Sequence, residues 1–190
     1  MNKKIFLLLL AFLSCTSHAI LATTTPLHLA AHQGHASHIV KLLRHGALIN
    51  AQDYAQRTPL HEAARQGHML CVEKLLENGA MIDIQDIDEQ APLHLAAMQG
   101  RTSIVIKLLE HQANVDACGT YFAWTALHHA ANKGQYECVK ALVERGATID
   151  SKNSCGETPH DIAEEKGYRL ITQYLHKQAQ QRLNHNASTN

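Results

Sequence analysis

The chain has 190 residues with 45% apolar and 18% charged side chains, room for one domain with a real core. Lys plus Arg (17) equals Asp plus Glu (17), so the formal net charge is zero and the clustered basicity of a nucleic-acid binder is missing. Fifteen histidines carry much of the remaining polarity.

Chain order begins with a segment unlike the rest. Met1 to Lys4 is short and positive, Ile5 to Leu13 is unbroken apolar sequence, and Ser14 to Ala19 turns small and polar. That three-part layout predicts a secretory signal peptide over 1–19, cut after Ala19. The apolar run is shorter than the roughly 20 residues that span a bilayer. Ser14-Cys15 opens a lipid-anchor alternative at Cys15, although Phe12 sits where such signals carry a branched aliphatic residue.

A period follows. Thr25-Pro26-Leu27-His28 returns as Thr58-Pro59-Leu60-His61, Ala91-Pro92-Leu93-His94, Thr125-Ala126-Leu127-His128 and Thr158-Pro159-His160-Asp161, at spacings of 33, 33, 34 and 33. Thr25, Thr58, Thr125 and Thr158 fit helix N-caps, and the prolines fit the first helical turn, where a missing N–H costs nothing. Gly34, Gly67, Gly100, Gly134 and Gly167 mark the turn into a second helix of the type Ile39-Val40-Lys41-Leu42-Leu43. Gly46, Gly79 and Gly146 fit a left-handed position that ends it. Gln112 stands in that position once, Ala91 lacks the cap hydroxyl, and Ala126 replaces a proline. An extra residue falls within 118–124.

These motifs, in this order and spacing, resemble the ankyrin repeat over residues 24–177. The resemblance implies an all-α solenoid of about five helix-turn-helix units with projecting hairpin loops, whose concave face and fingertips bind protein. The units are expected at about 24–56, 57–89, 90–123, 124–156 and 157–177 of a domain over 20–177, followed by a polar, disordered tail over 178–190.

The histidines invite a catalytic or metal reading. Register opposes it: His28, His61, His94 and His128 hold one place in four repeats, and each is expected to hydrogen-bond near its own helix start and steady the next loop. His32, His35 and His38 lie near His28 without a recognised ligand spacing. No nucleophile elbow, phosphate loop or His-Glu-x-x-His occurs, so no enzyme, metal or cofactor is expected. Cys71 and Cys138 share a register and are expected as buried apolar residues. Cys118 and Cys155 lie in consecutive loops and are either bonded or two separate thiols.

A partner is expected at positions the framework leaves open: Tyr54, Arg57, Tyr121, Phe122, Trp124 and Lys133. Tyr121, Phe122 and Trp124 fall in the one lengthened loop, where the alternative is that they fold back to cover the insertion. The signal segment and His- and Gln-rich repeats resemble small exported ankyrin proteins of Gram-negative bacteria, some thought to support periplasmic enzymes, including catalases. The resemblance implies a non-enzymatic adaptor or chaperone-like accessory, monomeric alone, periplasmic or secreted. A secreted effector binding host proteins is the alternative.

Overall fold

The computed structural model describes residues 24–119 and 122–188, which form ten helices and no strand. The expected signal peptide, the Cys15 anchor and Tyr121 lie outside the described residues. The helices come in five pairs: α1 (Pro26–His32) with α2 (Ala36–Arg44), α3 (Pro59–Gln66) with α4 (Met69–Glu77), α5 (Pro92–Met98) with α6 (Thr102–Glu110), α7 (Ala126–Asn132) with α8 (Tyr136–Glu144), and α9 (Pro159–Glu165) with α10 (Arg169–Ser188). First helices stack on first helices and second on second along the chain. This is the ankyrin-repeat solenoid.

Each first helix starts where local chemistry says it must. The residue before it is extended, with φ between −78° and −91°, and the helix opens on proline in four of the five pairs. Helix α7 opens equally well on Ala126, since proline favours that position without being needed there. Helices of seven to nine residues are too short to persist alone. Stacking supplies what is missing. Ala30-Ala31, Ala63-Ala64, Ala96-Ala97 and Ala130-Ala131 are buried and let first helices approach closely. Leu27, Leu60, Leu93 and Leu127 fill the layer beneath. Ile39, Val72, Leu75, Val105, Leu108, Val139, Leu142 and Ile171 continue one core through the second helices. Each such aliphatic side chain contributes about 1.5–3 kcal/mol relative to exposure.

The second helices of the first four pairs end on a left-handed residue: Gly46, Gly79 and Gly146 at φ 82°, 85° and 94°, and Gln112 at φ 66°. Gln112 therefore holds a conformation that costs an L-residue about 1–2 kcal/mol.

One expectation is overturned. The polar tail is not disordered where the structure describes it, for α10 runs to Ser188. Residues 169–188 contain neither Gly nor Pro, so nothing halts propagation once Ile171, Tyr174 and Leu175 have docked the first turns. Ala179 packs against the core, and Arg182 Nη2 donates to the Ala147 carbonyl at 3.2 Å. Polar composition there marks a solvated helix face.

Candidate protein-binding surface

The fingers between units are held by side chains that repeat. At each helix start the imidazole Nδ1 accepts the backbone N–H of the residue three positions earlier: Thr25 to His28 at 3.3 Å, Thr58 to His61 at 3.0 Å, Ala91 to His94 at 3.0 Å and Thr125 to His128 at 3.1 Å. The threonine hydroxyls donate to the same Nδ1 at 2.8–2.9 Å. With Nδ1 accepting, the proton sits on Nε2, which donates to the next finger: to the carbonyls of Arg57 (2.7 Å), Gln90 (3.0 Å), Ala117 (2.8 Å) and Glu157 (3.3 Å). One neutral tautomer thus satisfies both duties. Burial lowers the pKa of His61, His94 and His128. The fifth unit has Asp161 instead: its carboxylate accepts the Thr158 N–H (2.9 Å) and hydroxyl (2.7 Å), and these bonds lower its pKa. Among the described residues no finger follows it, and a cap without a reach suffices.

Two ladders escaped the sequence reading. Asp53 Oδ1 accepts from Ala55 and Arg57 N–H, Asp86 Oδ1 from Asp88 and Gln90, and Asn153 Oδ1 from Cys155 and Glu157, all at 2.8–3.0 Å. These Asx turns tie three fingertips to their returning limbs. Asn50, Asp83 and Asp116 accept the backbone N–H of Met81, Asn114 and Thr148 in the following unit. The signal was present as Asp or Asn recurring at a 33-residue period. Among the described residues no buried side-chain nitrogen or oxygen lacks a hydrogen-bond partner.

The residues expected to meet a partner do not sit alike. Tyr54 and Phe122 are exposed, at 59% and 71%. Arg57 is committed inward: its Nε donates to the buried Asp86 carboxylate at 3.1 Å, with Glu62 at 3.9 Å and Asp88 at 4.0 Å. It clamps the first finger to the second. Trp124 is half-buried, its ring centroid 5.1 Å from that of His129 and 6.1 Å from that of His128. His129 also meets His94 edge-on at 5.7 Å. Burial, with His94, His128 and Lys133 nearby, pushes the His129 pKa down to about 3. Lys133 is exposed.

Phe122, Trp124, His129 and Lys133 share a cleft of about 420 Å³ between the third and fourth units. Met98 and Ala123 add apolar wall, and Asp88, Glu89 and Glu157 add carboxylates. In the other units the imidazole bonds the returning limb of the next finger, whereas His94 bonds Ala117 on the outgoing limb. Trp124 then lies over His129, and Ala123 turns at φ 50°. Trp124 folds back over His129, whereas Phe122 projects. Cys155 lines the same cleft, and Cys118 and Cys155 are free, exposed thiols rather than a disulfide. Cys71 and Cys138 are buried.

Among the described residues no three His, Cys, Asp or Glu side chains converge as metal ligands, and no helix is long and apolar enough to cross a membrane.

The family model for ankyrin repeats (three copies) matches residues 2–86, 71–153 and 93–187, and the chain belongs to the ankyrin-repeat family. Curated relatives match over short windows. Human protein phosphatase 1 regulatory subunit 27 is 48% identical over 50 residues, 26% of this chain and 32% of that protein. Rat cyclin-dependent kinase 4 inhibitor B is 40% identical over 50 residues, 26% of this chain and 38% of that protein. Mouse synphilin-1 is 39% identical over 51 residues, 27% of this chain and 5% of that protein. The chain therefore aligns with less than two fifths of each of these relatives' length. Ankyrin repeats are protein–protein interaction modules, and this chain is one.

Proposed function

We propose that this chain is a non-enzymatic adaptor or chaperone-like accessory that acts outside the cytoplasm and docks its partner at the cleft between its third and fourth units. The cleft carries the reading. It joins the chain's single tryptophan, an exposed phenylalanine and a lysine in one 420 Å³ recess, the aromatic-rich composition of binding hot spots. The three-part layout of residues 1–19 supports export. Relatives named as a regulatory subunit and as kinase inhibitors support a role without catalysis.

Photocrosslinking in intact cells tests it. A benzophenone amino acid replaces Trp124 in one strain and the exposed Glu137, on the outer helix α8, in another. A discrete adduct from position 124 alone, recovered with the extracytoplasmic fraction, is the expected result. Equal capture from both positions sinks the cleft, and an adduct confined to the cytoplasm sinks the export.

A further inference from the structure

The cleft has a chemical character beyond being aromatic. Its described lining carries three carboxylates, on Asp88, Glu89 and Glu157, against one ammonium, on Lys133. The guanidinium beside Asp88 is already used: Arg57 is bonded to Asp86 at 3.1 Å and approaches Asp88 only at 4.0 Å. Glu157 Oε2 accepts from the Asn153 amide, a partner that brings no countercharge, at 2.9 Å. His129 adds no positive charge at neutral pH, because burial holds it unprotonated. The recess thus combines an excess of negative charge with the aromatic side chains of Trp124 and Phe122.

We propose that this cleft is a binding site for an arginine side chain presented by the protein partner. Resting on the adaptor reading, the inference adds the chemistry of the group recognised. A guanidinium is planar and weakly hydrated, stacks on an indole and still offers in-plane N–H donors to carboxylates at its edge. A lysine ammonium is a compact, strongly hydrated charge and uses only half of this arrangement. A volume of about 420 Å³ is ample for one long side chain and the backbone beside it. Lys133 opposes the incoming charge, so it tunes affinity downward and favours partners whose arginine has an acidic neighbour to meet it.

Trp124 is the only tryptophan, so its emission reports on the cleft without background. The purified protein is titrated with acetyl-Ala-Arg-Ala-amide and with its citrulline and lysine counterparts, at low and at physiological salt. The arginine peptide is expected to change Trp124 emission with a Kd about tenfold below that of the citrulline peptide, as for a desolvated cation over an indole. Added salt should narrow the gap. Asp88→Asn with Glu157→Gln, two near-isosteric changes checked for unchanged circular dichroism, should abolish the preference, and Lys133→Gln should tighten arginine binding. Citrulline or lysine peptides that bind as tightly as arginine, or an arginine peptide that leaves Trp124 emission unmoved, would overturn the proposal. Crosslinking at position 124 fails separately: a captured partner without an arginine response sinks this inference alone, and an arginine response without a captured partner sinks the adaptor reading alone.

Discussion

Replacing His94 by leucine removes the middle rung of the imidazole ladder. His94 is 1% exposed, and its ring satisfies two backbone groups, the Ala91 N–H at 3.0 Å and the Ala117 carbonyl at 2.8 Å. Leucine fills similar space but bonds to neither. A buried backbone group left without a partner costs about 1–3 kcal/mol, so the change should cost about 2–6 kcal/mol. That is a large part of the 5–15 kcal/mol typical of a domain. Asparagine separates the two bonds. Its Oδ1 stands where Nδ1 stood and can keep the cap, but the amide is too short for Ala117, so His94→Asn should lose about half as much. The assay is urea unfolding followed by far-UV circular dichroism and by Trp124 emission, compared at constant m. A leucine variant within 0.5 kcal/mol of the parent would refute the claim that the ladder holds the fingers, as would an asparagine variant no better than leucine.

Other outcomes follow from the same structure. Gln112 sits at φ 66°, where Gly46, Gly79 and Gly146 stand in other units, so Gln112→Gly should stabilise by about 0.5–1 kcal/mol in the same urea assay. Stability should fall on acidification: His61, His94, His128 and His129 have folded pKa values below 6.5, so below that pH the unfolded chain binds protons that the folded chain refuses. The contribution is complete above about pH 6.5 and shrinks as pH drops toward the folded pKa. His129, at about 3, should alone account for about 1 kcal/mol by pH 5.5, and His129→Leu should flatten the urea-midpoint profile between pH 7.5 and 5.5. A thiol reagent followed by peptide mass mapping should label Cys118 and Cys155 in the native protein, and Cys71 and Cys138 only after denaturant is added. Native labelling of Cys138 would contradict the packing of α8.

The sequence alone determined the repeat: where each first helix starts, which glycines end three of the second helices, and that four histidines share one duty. These are local rules, written in a residue and its neighbours within four positions, and a 33-residue period repeats them until chance is excluded. The Asp and Asn ladders were equally legible, for they obey the same period. What sequence could not settle depends on groups about 30 residues apart meeting across the stack. Arg57 reads as an open framework position until Asp86 is seen 3.1 Å from it. The tail reads as disordered until Ala179 and Arg182 are seen docked on the preceding unit. Trp124 reads as either anchor or filler until its ring is seen 5.1 Å from that of His129. A side chain's propensity is fixed by its own bonds, whereas its exposure and its charge partners are fixed by whichever surface the neighbouring unit brings against it.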